Sequence, residues 1–225
     1  MESGEFKHII TQKLEENNQG KRAINYKLRD WLFARQRYWG EPFPIVWISE
    51  DDYKALQSNT ASPIHNLLPK EPVTYDSDAD GIQYAIPLPD SQLPVLLPDI
   101  KSFKPTGNYL GPLYEAKEWN EVWVDPTDGS VCPRSENDKP KGPFRGTREC
   151  NTMPQWAGSC WYYLRYLDPN NTDRLIDPDI EKNWGMPDID IGGAEHAVLY
   201  LLYARFWHLF LHYIGVVQAK EPFPK

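Results

Sequence analysis

The sequence predicts an α/β protein, and its clearest sign is one βα unit near the end of the chain. Apolar and acidic residues alternate over 187–191, as they do in a short buried strand. Two glycines follow, and a helical pattern covers 194–214. A second helical pattern at 6–20, which Gly20 should end, and an apolar alternation at 43–47 add a helix and a strand. Helices interspersed with strands indicate the α/β class.

Length and composition set the broad class of the protein. The chain has 225 residues, a net charge of −8 and nine tryptophans, which suits one domain or one and a half with a sizeable core. No apolar run approaches the roughly 18 residues of a membrane-spanning helix, and the N-terminus lacks the features of a signal peptide. We therefore expect a soluble, cytoplasmic protein without a membrane partner.

The pattern of prolines divides the chain into three predicted parts. Residues 1–48 hold the first helix and the first strand. Residues 49–150 contain 13 of the 21 prolines and two Asp-Gly turn pairs, which predicts an insertion of loops and short strands. Residues 151–225 hold a helix at 155–167 and then the βα unit.

Basic residues are too few for a broad nucleic-acid surface. The chain has 24 Lys and Arg against 32 Asp and Glu, whereas phosphate neutralisation requires clustered cations. Any RNA contact must be local, and the candidates are Arg35, Arg37 and Trp39, where guanidinium and aromatic groups alternate. Such groups stack on bases and pair with phosphates. They equally stabilise the junction between two domains through cation–π contacts, and composition favours neither interpretation.

The cysteines and histidines give no metal signature. Cys132, Cys150 and Cys160 form no C-x-x-C pair, and an odd number in a chain without an export signal predicts free thiols. We expect no zinc site. His208 and His212 lie one helical turn apart, but no third ligand has the same spacing, so we expect surface histidines.

Aromatic residues of the 155–167 helix predict one wall of a pocket. Three aromatic residues and one serine fall at three- and four-residue spacings and share a face: Trp156, Ser159, Tyr162 and Tyr163. Rings with one or two hydroxyls suit a small ligand that has an apolar body and a polar head. An aromatic stripe also serves core packing, so spacing alone leaves both interpretations open.

The glycine turn of the βα unit is the second candidate site. Ligands of open α/β sheets bind beyond the carboxyl ends of strands, where helix N-termini point at them. Gly192 and Gly193 let a flat ring or a ribose approach the backbone. Glu195 can accept hydrogen bonds from vicinal hydroxyls, and His196 stands beside it. A tight turn with a carboxylate that complements the helix dipole is the alternative.

The last helix should be largely buried. Its apolar residues spread widely around the helix axis: Ala197, Val198, Leu201, Leu202, Phe206, Leu209 and Phe210.

Five stretches resemble the bacterial-type leucyl-tRNA synthetases, in their catalytic core between the editing insertion and the KMSKS-type loop. They are NYKLRDWLF at 25–33, RQRYWGEP at 35–42, LPVLLP at 93–98, NTMPQWAGSCWYY at 151–163 and GGAEHAVLYLLYARF at 192–206. The resemblance covers nearly the whole chain, in order. RQRYWG is shared with the isoleucine and valine enzymes, whereas the last two stretches favour leucine.

The resemblance implies a class I aminoacyl-tRNA synthetase of protein synthesis, a leucine–tRNA ligase. Such an enzyme joins leucine to ATP as leucyl-adenylate, releases pyrophosphate and passes the leucyl group to tRNA(Leu), with Mg accompanying the ATP. It also implies the second half of a Rossmann-type nucleotide-binding catalytic domain. Residues 1–48 and 151–225 would form this half, 49–150 would be an insertion at its rim, and its parallel sheet would be incomplete.

The resemblance assigns roles to the candidate residues. Gly192 and Gly193 would lie against adenine, and Glu195 would hold the ribose hydroxyls. Five side chains would form the leucine pocket: Trp156, Ser159, Tyr162, His196 and Tyr200. Tyr200 departs from the family, many members of which have His there, and its longer side chain bears on the depth of the pocket.

The larger departure is that the sequence contains neither the HIGH-type motif nor the KMSKS-type loop of the family. Catalysis in such enzymes is mainly positioning and electrostatic stabilisation, so we identify no catalytic residue and expect a fragment that is inactive alone. The missing N-terminal and C-terminal parts of the synthetase are the expected partners. Unpaired edges and exposed apolar surface should cause poor solubility or association with them. The alternatives are a non-catalytic nucleoside- or RNA-binding module and an inert remnant.

Overall fold

The computed structural model of the chain describes residues 3–24, 32–77, 80–104, 107, 111–135, 137 and 139–223. Residues 25–31 of the first resembling stretch lie outside this description. The chain forms two compact units, Met1–Leu32 and Phe33–Lys225. Among the helices described, none is long and apolar enough to cross a bilayer.

The first unit contains helix α1 (Ser3–Glu16), which confirms the predicted helix with shifted ends. Asn18 rather than Gly20 ends it, because Asn18 takes the left-handed conformation with φ at 53°. The N–H of Gln19 then donates to the carbonyl oxygen of Leu14 at 2.9 Å. No residue of α1 is buried, so its apolar side chains face solvent.

The second unit is built on a sheet that has six antiparallel strands within the described ranges. Their order is β2-β3-β1-β6-β4-β5. The strands are β1 (Ile45–Ser49), β2 (Thr74–Ser77), β3 (Gly81–Pro87), β4 (Glu121–Val124), β5 (Val131–Pro133) and β6 (Phe144–Arg148). The strand predicted at 43–47 is therefore present two residues later.

One face of the sheet carries the main core. Val46 and Ile48 of β1 are fully buried on this face, while the residues between them point to the other side. Helix α2 (Glu50–Ser58) covers the core with Tyr53 and Leu56. Ser49 starts the helix, because its hydroxyl accepts a hydrogen bond from the backbone N–H of Asp52 at 3.2 Å.

The parallel sheet expected from the sequence is wrong for the described residues, where every strand pairing is antiparallel. The predicted strand at 187–191 is irregular, because no described segment runs beside it to complete a hydrogen-bond ladder. The mixed α/β class itself is confirmed. The predicted boundary after residue 48 falls within β1, which pairs with β3 and β6, and the three-part division stays a prediction.

The remaining helices are short, except for the last. They are α3 (Lys117–Asn120), α4 (Trp156–Ser159), α5 (Tyr162–Arg165), α6 (Pro178–Trp184), α7 (Ala194–Val198) and α8 (Tyr200–Tyr213). Within the described residues, three 3₁₀ turns lie at Pro63–Leu67, Asp90–Gln92 and Pro112–Glu115. The predicted helix at 155–167 is thus two helices, α4 and α5. The predicted helix at 194–214 is interrupted at Leu199, whose φ of −125° and ψ of −87° are not helical.

The expected burial of the last helix is wrong on one side. Helix α8 buries Tyr200, Tyr203, Ala204, His208 and Leu211. On another side, three apolar residues spaced four positions apart are exposed to 59%, 53% and 44%: Leu202, Phe206 and Phe210. We call these three residues the α8 stripe.

Candidate functional site

The five residues predicted for the leucine pocket line one cavity of about 140 Å³. Trp156 and Ser159 come from α4, Tyr162 from α5, His196 from α7 and Tyr200 from α8. The fold therefore brings residues near 156–162 and near 196–200 to one place. We call this space the aromatic cavity.

Aromatic rings form most of its wall. The centroid of the Trp156 ring lies 6.1 Å from that of Tyr200 and 6.0 Å from that of His196. The Tyr162 and Tyr200 rings are 5.8 Å apart. Tyr162 is 39% exposed, so the cavity opens to solvent on that side. Ser159 is also exposed, and its hydroxyl donates to the carbonyl oxygen of Gln155 at 3.3 Å.

Tyr200 forms the buried floor of the aromatic cavity. Its side chain is 5% exposed, and its hydroxyl has no hydrogen-bond partner among the described residues. Burial raises the pKa of Tyr200, and the neighbouring Tyr162 hydroxyl and the charge of Asp190 raise it further. The hydroxyl therefore stays protonated and can pair with a polar group of a ligand, which would remove the cost of an unpaired buried donor.

The glycine turn adjoins this cavity. A β-carbon on Gly193 would lie 2.5 Å from Oε1 of Glu195, and one on Gly192 would collide with the His196 ring. Gly193 has an ordinary extended backbone with φ at −72°, and the atoms that its β-carbon would meet belong to the exposed end of the Glu195 side chain, so the backbone conformation itself does not require glycine here. The exposed Glu195 carboxylate lies folded over the turn, within reach of a ligand bound against the glycines.

Two further residues, Asp190 and Ile191, line the aromatic cavity. Sequence reasoning missed them because it placed 187–191 in a buried strand, where side chains would alternate between two covered faces. Their signal in the sequence is position, since they directly precede Gly192. Asp190 is the only acidic residue among the described residues that line the cavity.

Tyr163 does not join the pocket face, because the break at Trp161 separates α5 from α4. Its hydroxyl lies 2.6 Å from Nδ1 of His208, and Nε2 of His208 lies 2.8 Å from the carbonyl oxygen of Ala219. A carbonyl oxygen only accepts, so Nε2 donates to Ala219 and Nδ1 accepts from Tyr163. His208 is 0% exposed, which makes the expectation of a surface histidine wrong. His212 is half-buried.

The free energy of unfolding should decrease as the pH is lowered, because of His208. Burial lowers the pKa of His208 below its ordinary value of 6.5, so the unfolded chain binds a proton more readily than the folded one. The contribution of the neutral imidazole is complete above pH 6.5 and is lost as the pH falls towards the lowered pKa. The slope is at most about 1.4 kcal/mol per pH unit.

Urea midpoints at about pH 7.5 and about pH 5.5 measure this effect. His208→Gln keeps a donor and an acceptor but does not titrate, so its midpoint should fall less on acidification than that of the wild type. If the urea midpoint falls equally in both proteins, groups other than His208 cause the acid sensitivity.

The segment that contains Arg35, Arg37 and Trp39 packs on residues 151–153. Arg35 and Thr152 exchange two backbone hydrogen bonds of 2.8 and 2.9 Å. The Thr152 hydroxyl donates to the carbonyl oxygen of Arg37 at 3.0 Å. A β-carbon on Gly40 would lie 2.6 Å from the carbonyl oxygen of Met153, so glycine permits this close packing. The backbone of this segment thus connects residues 35–40 to residues 151–153 within the second unit.

The aromatic side chains of the same segment differ in exposure. Tyr38 is buried, and its hydroxyl donates to the carbonyl oxygen of Pro98 at 2.8 Å. Trp39 is 68% exposed and stacks on Phe103 with 5.5 Å between ring centroids. Arg35 and Arg37 are half-buried. A role of Arg35, Arg37 and Trp39 at the tRNA end stays a prediction.

A larger groove of about 690 Å³ lies along the sheet, on the side of Trp47 and Thr147. None of the predicted site residues lines it. Its cationic and anionic side chains balance in number: Lys117, Arg134 and Arg145 against Asp52, Asp80 and Glu121. Arg134 and Glu121 form an ion pair with each other, so the groove offers no surplus of either charge.

The cysteines are free, as the sequence predicts. Burial raises the pKa of the Cys150 and Cys160 thiols to about 12, so both are protonated and unreactive near neutral pH. In the part of the chain that the structure describes, no three His, Cys, Asp or Glu side chains converge in the manner of a metal site.

Comparison with known proteins shows which proteins the chain resembles. No protein-family model matches it. It is 45% identical over 211 residues to the leucine–tRNA ligases of two strains of Leptospira biflexa serovar Patoc, and the match covers 94% of this chain. A crystal structure of the ternary complex of Agrobacterium radiobacter K84 agnB2 LeuRS with tRNA and LeuAMS matches with a TM-score of 0.69 and 28% identity over 99% of this chain.

The matched region is a small part of those enzymes. The chain spans 19% of the length of the Leptospira relatives and 22% of the Agrobacterium chain. The chain is therefore a homologue of the leucine–tRNA ligases, over a segment of about one fifth of their length.

Proposed function

We propose that this chain carries the part of a leucine–tRNA ligase site that binds leucine and the adenosine of ATP. One observation carries the proposal: residues from four helices converge on the aromatic cavity, and the glycine turn with Glu195 adjoins it. An amino acid in the cavity and a nucleoside on the turn would lie next to each other. This adjacency is what the formation of leucyl-adenylate requires.

The chemistry of the two subsites agrees with this assignment. Leucine has an apolar branched side chain, for which the rings of Trp156, Tyr162 and Tyr200 provide contact area. Gly192 and Gly193 leave the backbone open to a flat adenine ring. The carboxylate of Glu195 accepts hydrogen bonds, and the two ribose hydroxyls donate them.

The reaction of the whole enzyme needs more than these residues. The carboxylate of leucine attacks the α-phosphate of ATP, pyrophosphate leaves, and the tRNA 3′ end then takes the leucyl group and releases AMP. The sequence contains no HIGH-type or KMSKS-type motif to stabilise the phosphates, so we expect this chain alone to bind and not to turn over. The remaining parts of a synthetase, and tRNA(Leu), are the proposed partners.

No three carboxylate, imidazole or thiol side chains converge in the described residues, so these residues offer no all-protein site for a metal ion. Mg²⁺ that accompanies ATP is held by the phosphates, by waters and by one or two carboxylates. The contribution of this chain is to hold leucine and adenosine in contact, which lowers the entropic cost of the reaction.

Calorimetric titration of the chain with a non-hydrolysable leucyl-adenylate analogue tests the proposal. We expect saturable binding that Glu195→Ala weakens by about 1–3 kcal/mol, because the ribose hydroxyls lose a charged acceptor. Tyr162→Ala should weaken binding by a similar amount, because the analogue loses a ring of its pocket.

Tyr213→Ala is the matched control, because Tyr213 is 87% exposed at the end of α8 and lines none of the aromatic cavity. Its affinity should equal that of the wild type. If the wild-type chain is folded but does not bind the analogue, the proposed function is wrong and only the homology remains. Binding that neither Glu195→Ala nor Tyr162→Ala weakens would place the ligand elsewhere.

A further inference from the structure

The groove of about 690 Å³ along the sheet has no assigned role. We call it the sheet groove. It lies on the face opposite the main core, because Trp47 and Thr147 line it while Val46 and Ile48 point to the core. Its volume is within the range of about 300–1,000 Å³ that is typical of ligand sites. None of the residues that line it lines the aromatic cavity, so it is a separate candidate site.

The charges of the sheet groove balance in number but are separated in space. The strand order is β2-β3-β1-β6-β4-β5. Asp80 lies between β2 and β3, and Asp52 lies on α2, which contacts β1 and β3. On the other side of β1, Arg145 lies on β6, and Lys117 lies on α3, which contacts β4 and β6. The groove therefore has an acidic end and a basic end.

The cations of the basic end are available to a ligand. Arg145 is exposed and forms no hydrogen bond or ion pair with any described residue. The ammonium of Lys117 lies 3.4 Å from the centroid of the Tyr114 ring and has no anionic partner among the described residues. The ion pair of Arg134 with Glu121 adds no net charge. Two cations thus remain without a counter-ion.

The carboxylates of the acidic end are also without a counter-ion. The Asp80 side chain is exposed and forms no hydrogen bond or ion pair with any described residue. Asp52 is half-buried and accepts one hydrogen bond of 2.7 Å from the Ser49 hydroxyl, but no cation pairs with it in the described ranges. These carboxylates repel phosphates, so the acidic end disfavours a nucleic-acid strand across the groove.

A buried polar group at the basic end lacks a partner. Asn120 lines the groove three positions after Lys117 and is 0% exposed. Its amide nitrogen donates to the carbonyl oxygens of Leu113 at 3.0 Å and Tyr114 at 2.7 Å. Its side-chain oxygen has no partner among the described residues, which is costly. A peptide backbone supplies one N–H donor per residue and could satisfy this acceptor.

The floor and the span of the sheet groove suit an extended chain. The half-buried rings of Trp47 and Tyr75 meet edge to face with 4.7 Å between centroids, and they offer contact area to an apolar side chain. The acidic and basic ends are two to four strands apart, about 10–19 Å at the usual strand spacing. Two residues four positions apart in an extended peptide are separated by about 13 Å.

We propose that the sheet groove binds an extended peptide segment of a partner protein, with a cationic and an acidic side chain about four residues apart. The cation lies at Asp52 and Asp80, and the acid lies at Arg145 and Lys117. An apolar side chain between them packs on the ring floor. This inference does not rest on the proposed function, because the two sites share no residue.

Three peptides that differ only in charge pattern test the inference. The dipolar peptide is acetyl-Lys-Thr-Val-Thr-Glu-amide, and the other two carry Lys at both ends or Glu at both ends. In titrations of the full chain followed by NMR, we expect the dipolar peptide to bind at least about ten-fold more tightly than either of the others. It should also shift the indole N–H resonance of Trp47, which lies in the floor of the groove.

Charge variants show whether the two ends cause this preference. Arg145→Glu should bring the affinities of the dipolar and the dilysine peptides within about two-fold of each other, because the basic end loses its net positive charge. Asp80→Asn should weaken the dipolar peptide about two- to five-fold, as expected for one exposed charge pair. Both side chains are exposed and unbonded, so we expect both variants to fold, and their amide spectra verify this.

Lys70→Glu and Asp188→Asn are the matched controls, since both residues are exposed and neither lines the groove. All affinities should equal those of the wild type. Equal affinity for the three peptides, no binding by the folded chain, or an Arg145→Glu variant with the wild-type preference would overturn the inference. Displacement of the dipolar peptide by a six-nucleotide RNA would also overturn it, because the groove would then accept a polyanion.

Discussion

Replacement of His208 by alanine is expected to lower the free energy of unfolding by about 2–5 kcal/mol. The imidazole bridges the Tyr163 hydroxyl and the Ala219 carbonyl oxygen inside the protein. Without it, two half-buried polar groups lose their partners at about 1–3 kcal/mol each, and the deleted ring leaves a cavity. Urea denaturation followed by circular dichroism measures the loss.

His212→Ala provides the matched comparison for this effect. His212 lies one turn later on the same helix, is half-buried and makes one contact of 3.3 Å with the Val217 carbonyl oxygen. Its replacement should cost less than about 1 kcal/mol. Similar losses in the two variants would mean that the bridge from α5 through α8 to the C-terminal segment contributes little.

The other large loss of stability is expected when Gly146 of β6, which lies against the core, is replaced. A β-carbon at this position would lie 2.6 Å from Cγ1 of Val46 and 2.9 Å from Cγ2 of Val124. Both valines are 0% exposed, so neither can move aside into solvent. Gly146→Ala should therefore cost about 3 kcal/mol, the upper end of the usual range for an overpacked core. The midpoint of urea unfolding is the readout.

A double-mutant cycle with Val46→Ala shows whether crowding causes the loss. Val46→Ala alone should destabilise the protein, because it leaves a cavity against β6. In the double variant the methyl group at position 146 enters the space that Val46 vacated. The combined loss should then be smaller than the sum of the single losses by at least about 1 kcal/mol. Additive losses would rule out direct contact as the cause.

The aromatic cavity could be predicted from the sequence because its residues lie in two short stretches with clear local patterns. Helical spacing groups Trp156 with Ser159 even though the helix is shorter than expected. The resemblance to synthetases added His196 and Tyr200 to the same set. Asp190 was not predicted as a cavity residue, because the alternating pattern around it predicts a strand. In the tertiary structure no described strand pairs with this segment, so it is irregular.

The sheet and the environment of His208 could not be predicted for the same physical reason. Strand order depends on pairings between distant segments, such as Ile48 with Gly146, and single-sequence patterns do not encode them. Two histidines one turn apart look alike in the sequence. The segment that ends in Ala219 covers His208 and supplies its hydrogen-bond acceptor, and this contact is visible only in the fold.

The α8 stripe affects how unfolding can be observed. Leu202, Phe206 and Phe210 present apolar area to water in the native state, and fluorescent dyes such as ANS bind exposed apolar surface. The folded protein should therefore give a high dye signal before heating begins. A dye-reported melting curve would then start from a bright baseline and understate the transition of the core. Amide circular dichroism is free of this interference, because its signal comes from backbone conformation.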